Sequence, residues 1–319
     1  MAETELVTNV PANLTQSYHP ESARDFYEKS VSPNTRRAYL RVLREFFQVV
    51  KGIAPTAVTP RHVLAWRELL IQRRQKPNTI AFKLSVLRSF FAYLLAGGVI
   101  SLNPASSKLV PPPPVPEEQA GRALTIKEAR LLLAAPDKNT VSGARDYALM
   151  ITMLKLSLRV SEVCALRGSS LKWSHGRWVV KFTGKGSRER TLPLPDEVRL
   201  AMKAYLALDQ ARRKNQHCDG DNAWLFQPLV NYRTLEFNKP LTERMAHQLV
   251  KKWGAYCGLG SLSPHDLRRT AITRALDQGL SYRQVQMMSG HKDPKTVMRY
   301  DHGRENLELN AVNFLDYEG

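Results

Sequence analysis

The chain has 319 residues, enough for two domains, and 43% of them are hydrophobic, enough to form substantial cores. Its formal net charge of +18 indicates a polyanionic partner, nucleic acid before anionic membrane. The sequence shows no run of about 18 apolar residues, and its N-terminus is acidic, which disfavours a membrane span and a signal peptide. We therefore expect a cytoplasmic protein that binds nucleic acid.

The first third of the chain is predicted to be a basic helical domain. We interpret residues 1–15 as a flexible tail and residues 16–108 as the domain. Residues 31–110 hold thirteen Lys and Arg against two Glu. Three amphipathic helices are predicted, which begin at Pro33, at Pro60 and near Pro77, and the last ends at Gly97.

The polar faces of these helices carry Lys and Arg almost without Asp or Glu. A face that is merely solvated usually mixes both signs, so we predict that these side chains contact DNA phosphates. The predicted contacts are Arg36, Arg37, Arg41, Arg44, Arg73, Arg74, Lys83 and Arg88.

Residues 109–121 are predicted to be a proline-rich linker, because five prolines lie between positions 111 and 116. Extended polyproline rises about 3.1 Å per residue, so ten residues reach roughly 30 Å. This length suits two domains that close around a duplex. An ordinary spacer or a ligand for a proline-binding module is the alternative.

The second domain, predicted over residues 122–302, begins with a capping box at Thr125. An apolar helical run is predicted to end near Arg159, whose permanent charge requires an anionic partner. The alternating segment from Arg177 is typical of a strand, and residues 184–187 form a turn that places Lys185 at the tip of a hairpin. Further helices are predicted from about Asp196 and over residues 242–253, with a surface loop at 209–223 between them.

Three helix starts follow one another near the C-terminus. Ser263 and Pro264 begin the first, Ser281 begins the second, and the pair at positions 293 and 294 begins the third. His265 and Arg268 lie one turn apart on the first helix. The second ends before His291, and Tyr300 is predicted about two turns into the third.

The ordered set Arg159, Glu162, Lys185, His265, Arg268, His291 and Tyr300 resembles the tyrosine recombinase (phage integrase) family, in the simple two-domain type of the Xer and Cre recombinases. The family usually has glycine where this chain has Ser157 and leucine where it has Ser289. The resemblance implies a mainly α fold: an all-α DNA-binding domain and an α+β catalytic domain with a small β-hairpin or sheet.

The resemblance also implies a mechanism. Arg159 and Arg268 would hold the scissile phosphate, and Tyr300 would attack it to form a covalent 3′-phosphotyrosine. Lys185 would protonate the leaving 5′ oxygen, His265 would assist proton transfer, and His291 would hydrogen-bond the phosphate. Glu162 would orient its neighbours. No cofactor or metal is expected, since neither a carboxylate cluster nor cysteines with ligand spacing are present in the sequence.

Assembly is implied as well. Residues 303–319 are expected to form a tail helix that docks on a neighbouring protomer or, alternatively, on its own domain. Docked between protomers, it would link a homotetramer on two double-stranded DNA sites, with a Holliday junction between two strand exchanges. Whether accessory DNA-bending proteins take part stays open. A type IB topoisomerase-like enzyme and a non-enzymatic architectural protein are the alternatives.

Overall fold

The structure is a computed structural model, and it describes residues 18–30, 32–114, 121–184, 188–229, 238–301 and 311–314. The chain divides into two compact units, residues 1–118 and residues 119–319. Both are largely helical, and the single described sheet lies in the second unit. The predicted tail at residues 1–15 lies outside the described residues.

The first unit consists of short and long helices around an aromatic core. Its α-helices are α1 (Arg24–Glu28), α2 (Pro33–Val49), α3 (Pro60–Gln72) and α4 (Pro77–Ala96), and 3-10 turns lie at Pro20–Ala23 and Pro55–Ala57. The last three helices begin with proline at the first position, as the sequence predicts. Phe46 packs edge-to-face against Trp66 and Phe91 in the core of this unit.

Helix α4 is long and apolar enough to span a membrane by length and composition, with a mean hydropathy of 1.4 over 18 residues. The helix is nevertheless not an uninterrupted apolar run, because it contains Lys83 and Arg88. Ile80, Leu84 and Leu87 of α4 are buried in the core of the first unit. A core helix passes the same test, so the helix is weak support for a membrane span.

The beginning of the predicted linker belongs to the first unit. Val110 is fully buried in its core. Arg88 donates hydrogen bonds to the carbonyl oxygens of Ala105 and Val110, each at 3.0 Å, and Arg67 donates to that of Pro111 at 2.9 Å. The first unit therefore extends at least through Pro111.

The second unit contains nine described α-helices and one three-stranded antiparallel sheet. Its helices are α5 (Ile126–Ala134), α6 (Val141–Leu156), α7 (Val160–Cys164), α8 (Asp196–Leu208), α9 (Gln210–Asn215), α10 (Glu243–Tyr256), α11 (Pro264–Asp277), α12 (Tyr282–Ser289) and α13 (Pro294–Met298). Its strands are β1 (Leu171–Ser174), β2 (Arg177–Gly184) and β3 (Arg188–Pro193), in that order. The register Gly184↔Arg188 confirms the predicted hairpin, whereas strand β1 was not predicted.

Part of the predicted surface loop at 209–223 is wrong, because residues 210–215 form helix α9. Asp209 is fully buried and accepts hydrogen bonds from Arg212 at 2.5 Å and from Arg213 at 2.8 Å. Arg213 is buried too and also donates to the Leu225 carbonyl oxygen. These charged side chains satisfy one another inside the unit, so their polarity did not indicate exposure.

At the C-terminus, residues 311–314 form a 3-10 turn in which Val312 is exposed. The rest of the tail predicted at 303–319 lies outside the described residues. Its docking on a neighbouring protomer stays a prediction.

Candidate active site

Helix α11 positions two of the candidate residues. Ser263 caps it, because its side chain accepts a hydrogen bond from the Asp266 backbone N–H, and Pro264 is its first residue. His265 and Arg268 follow one turn apart, as predicted. Arg268 is only 2% exposed, whereas His265 is exposed. The two side chains therefore meet different surroundings, although they share one helix.

The guanidinium of Arg268 is held between the ends of two other helices. Its Nη1 donates to the backbone carbonyl of Ser157, which follows α6, and its Nη2 donates at 2.7 Å to that of Ser289, which ends α12. Helix C-termini carry partial negative charge, which compensates the buried cation. Burial, together with the charge of Arg159, lowers the pKa of Arg268 to about 10, so it stays protonated at neutral pH.

The sequence suggested that the apolar helix ends near Arg159, but in the structure it ends three residues earlier. Helix α6 ends at Leu156, and Arg159 instead immediately precedes α7. The expected anionic partner is Glu162, which accepts from Arg159 Nη1 at 2.9 Å and from the Arg159 backbone N–H at 2.8 Å. The Glu162 side chain is 3% exposed and that of Arg159 is 30% exposed, so the guanidinium remains accessible to a second anion.

Ser157 explains how the chain turns between α6 and α7. Its φ of 53° lies in the left-handed region that favours glycine, the residue the family usually has there. This backbone places the Ser157 carbonyl on Arg268 and leads the chain directly to Arg159. Serine in place of the usual glycine thus adopts the left-handed conformation that this turn requires.

His291 lies between Tyr300 and Arg268 and contacts both. The His291 ring stacks on the Tyr300 ring with 6.0 Å between centroids, and His291 Nε2 lies 3.1 Å from Arg268 Nη2. Tyr300 is 3% exposed and lies two residues beyond α13 rather than inside it. Arg269 lies 5.1 Å from the centroid of the Tyr300 ring, a cation–π distance.

Arg190 of β3 joins the hairpin to this cluster, and sequence reasoning missed it. Its Nη2 donates to the carbonyls of Met287 and Met288 at 3.1 and 2.8 Å, and its Nη1 lies 3.9 Å from a Glu162 oxygen. Its guanidinium also lies 5.0 Å from the Phe182 ring centroid. Position 190 is one of several arginines in a basic hairpin, so no local signal separates it from its neighbours.

Lys185 lies outside the described residues. Gly184, which precedes it, is the last residue of β2. A Cβ atom at Gly184 would stand 3.4 Å from a Glu162 oxygen and 3.1 Å from the Arg190 side chain. The described end of the hairpin therefore packs directly on Glu162, the partner of Arg159.

Comparison with known proteins identifies the family. Residues 122–306 match the phage integrase family, and residues 26–98 match the phage integrase N-terminal SAM-like domain. The tyrosine recombinase XerC of Thermodesulfovibrio yellowstonii is 32% identical over 276 residues, 86% of this chain and 87% of that protein. The chain belongs to the phage integrase family of tyrosine recombinases.

Further relatives agree with this assignment. The tyrosine recombinase XerD of Xanthomonas campestris pv. campestris is 34% identical over 242 residues, 74% of this chain and 70% of that protein. The XerH site-specific recombinase, solved bound to a palindromic difH substrate, has a TM-score of 0.69 at 17% identity and covers 92% of this chain and 82% of its own. The Tn1549 transposon integrase, solved with circular intermediate DNA, has a TM-score of 0.64 at 18% identity over 93% and 98%. The predicted fold class and enzyme class are confirmed.

The two candidate histidines of this recombinase lie in a strongly positive field. Burial and then Arg268 and Arg159 lower the pKa of His291 to about 4. Although His265 is exposed overall, partial desolvation of its ring and then the charges of Arg269 and Arg268 lower its pKa from the ordinary 6.5. Both rings are therefore neutral at pH 7 in the free recombinase. Among the described residues, no group of three or more His, Cys, Asp or Glu could hold a metal ion.

The eight predicted DNA contacts of the recombinase's first unit differ in their surroundings. Lys83 and Arg88 are half-buried: Lys83 forms an ion pair with Glu45 at 2.6 Å, and Arg88 bonds the backbone carbonyls described above. Arg36, half-buried, donates to the Ser30 carbonyl, and Arg44 pairs with Glu21 on the surface. The exposed side chains are Arg37, Arg41, Arg44, Arg73 and Arg74.

Proposed function

We propose that this recombinase cleaves and rejoins double-stranded DNA at a specific core site through a covalent 3′-phosphotyrosine. Strands would be exchanged in two pairwise steps through a Holliday junction in a homotetramer on two DNA sites. We expect it to act in the cytoplasm, with or without accessory DNA-bending proteins. The XerH recombinase and the Tn1549 integrase, both solved with DNA, share its fold and so favour a DNA substrate.

One observation carries the proposal: Arg268, His291 and Tyr300 contact one another in series within one unit, with Arg159 beside them. Two guanidinium groups match the oxygens of a phosphate diester and stay charged at neutral pH. The same two cations would hold the phosphorus atom close to the phenol of Tyr300. This is the arrangement that phosphoryl transfer to a tyrosine requires.

The chemical step follows from these groups. The Tyr300 oxygen forms a bond to phosphorus and loses its proton, while the bond from phosphorus to the 5′ oxygen breaks. That oxygen takes a proton from Lys185, and His265 assists the transfer of the Tyr300 proton to solvent. Arg159, Arg268 and His291 stabilise the charge on the other phosphate oxygens. Reversal by a different 5′-hydroxyl rejoins the strands without a nucleotide triphosphate.

The burial of Tyr300 adds a requirement. A side chain that is 3% exposed cannot meet a phosphate on a duplex surface unless neighbouring groups move. Tyr300 lies just past the five-residue helix α13, and this short segment is a smaller body to displace than α11. We therefore expect DNA binding to move the segment around Tyr300 before cleavage.

Covalent trapping tests the proposal. The recombinase is footprinted on DNA that flanks its gene, and the bound duplex is then used for cleavage. The wild type should form an SDS-resistant protein–DNA adduct with a free 5′-hydroxyl. Tyr300→Phe should bind the same duplex and form no adduct, because it lacks the nucleophile. An adduct that persists in Tyr300→Phe would remove this residue from the role.

A further inference from the structure

The side chain of Ser289 has a specific partner in the candidate site. Ser289 is fully buried at the end of α12, and its Oγ lies 3.0 Å from Nδ1 of His291. On the other side of the ring, Nε2 lies 3.1 Å from Nη2 of Arg268. Both ring nitrogens of His291 therefore have a hydrogen-bond partner. An aliphatic residue at position 289 would leave Nδ1 without this one.

These two contacts determine where the proton of the neutral ring lies. Arginine donates hydrogen bonds and cannot accept them, so Nε2 of His291 must accept from Arg268. A neutral imidazole has one N–H, which in the free protein is therefore on Nδ1. The Nδ1–H then donates to Ser289 Oγ. The hydroxyl acts as the acceptor in this state.

A phosphate in the site would require Nε2 to donate a hydrogen bond instead of accepting one. To hydrogen-bond a phosphate oxygen, His291 must donate, and Nε2 is the nitrogen that faces Arg268 and hence the anion. If Nε2 carries the proton of a neutral ring, Nδ1 becomes an acceptor. A serine hydroxyl can rotate from accepting to donating, so it satisfies Nδ1 in both tautomers.

We propose that Ser289 is a positioning residue for His291. In the free enzyme Nε2 of His291 accepts a hydrogen bond from Arg268, and when DNA phosphate is bound the same nitrogen donates one to the phosphate. The donor half of this inference rests on the proposed function, whereas the acceptor half depends on the free protein alone. Because the hydroxyl accommodates both tautomers, the ring changes from acceptor to donor without leaving a buried nitrogen unpaired.

The acceptor half is tested by nitrogen NMR on the free, full-length protein labelled with ¹⁵N-histidine, with the His291 signals identified by their loss in His291→Asn. The wild type should show mainly the Nδ1–H tautomer at pH 7. In Ser289→Ala the proton should stay on Nδ1, because Arg268 still donates to Nε2, and the Nδ1 resonance should shift, because Nδ1–H loses its acceptor. Ser157→Ala is the matched control. Ser157 is equally buried and also offers its carbonyl to Arg268, but among the described residues its Oγ has no hydrogen-bond partner, so this variant should leave the Nδ1 resonance of His291 unchanged.

The donor half is tested by a double-mutant cycle on the rate of covalent complex formation with the footprinted duplex. Ser289→Ala should slow the reaction about twofold to fivefold in the wild type, because the bond from the hydroxyl to Nδ1 is stronger when Nε2–H donates to an anionic phosphate, and it should have no further effect in His291→Ala. Equal effects in both backgrounds would mean that Ser289 acts through packing, which overturns the proposal. A wild-type ring that carries its proton on Nε2 would overturn it as well. Failure of the wild type to form any adduct would instead refute the proposed function, and the NMR result would still decide the role of Ser289.

Discussion

The guanidinium of Arg190 lies directly against Gly290. A Cβ atom built on Gly290 would stand 2.6 Å from the Arg190 guanidinium carbon, and the glycine has φ +72°, in the left-handed region. The Arg190 side chain of β3 thus occupies the space that a side chain at Gly290 would fill. This contact connects the hairpin that carries Lys185 with the turn that carries His291.

Gly290→Ala is therefore expected to destabilise the protein for two reasons. The alanine would have a strained left-handed backbone, and its Cβ would overlap the Arg190 guanidinium. The matched control is Gly279→Ala, since Gly279 has a similar φ of +78° but none of the described residues lies within 4 Å of its Cβ position. Urea unfolding should show a loss of about 1–2 kcal/mol for Gly279→Ala, the cost of the left-handed conformation. Gly290→Ala should lose about 1–3 kcal/mol more, the cost of overpacking. In an Arg190→Ala background that excess should vanish, and an excess that persists would locate the strain elsewhere.

The role of Lys185 can be tested by changing the leaving group. Lys185→Ala should slow cleavage of ordinary DNA by about 10²–10⁴-fold, the usual contribution of general acid catalysis. A duplex with a 5′-bridging sulfur should restore the rate, because a thiolate leaves without a proton. Lys181→Ala removes the same charge from an exposed position on β2 and should behave as the wild type on both substrates. Lack of rescue by sulfur would rule out the assignment of Lys185 as the acid.

Among the arginines of the first unit, some should contact DNA and others should stabilise the fold. Arg37→Gln and Arg41→Gln remove exposed charges on α2, so each should weaken DNA binding and reduce the slope of log K against log salt by about one. Arg88→Gln should instead lower the free energy of unfolding by about 1–3 kcal/mol, because its guanidinium bonds two backbone carbonyls. Binding titrations at several salt concentrations, with urea unfolding of the same variants, separate the two effects. If the slope is unchanged in both α2 variants, those side chains do not contact phosphate.

Stability should depend on pH through His291. Its pKa is lowered to about 4 in the folded protein, from an ordinary value of 6.5. Below pH 6.5 the unfolded chain therefore takes up a proton that the folded protein does not, so stability is lost as pH falls towards 4. The free energy of unfolding should drop between pH 7 and pH 5 by on the order of 1–2 kcal/mol more in the wild type than in His291→Asn. Equal drops in urea unfolding would show that the ring is not held neutral.

Local hydrogen bonding explains which parts of the site could be read in advance. The caps at Ser263, Ser281 and Asp293 were predicted correctly, since each side chain bonds a backbone N–H two or three residues away. The turns at Gly279 and Gly290 likewise depend on the local requirement for positive φ. Interactions of this range are visible in a single sequence.

Long-range contacts account for what could not be read. Arg268 bonds carbonyls 111 and 21 residues away, and Arg190 bonds carbonyls 97 and 98 residues away. Ser157 and Ser289 were noticed as departures from the family pattern, but nothing in their neighbours indicates that both lie against Arg268. The interpretation of residues 209–223 failed for the same reason, because Asp209 is buried by partners that polarity cannot reveal.

The ordered residue set, through its resemblance to a known family, was thus enough to predict a two-domain tyrosine recombinase and to name candidate side chains for its chemistry. Cap signals and strand alternation, which are properties of neighbouring residues, predicted the local helix starts and the hairpin. The burial of Arg268 and Tyr300, the exposure of Arg159 and the hydroxyl partner of His291 emerge from packing. Burial and charge proximity depend on which helices meet in space, and that is a property of the folded chain as a whole.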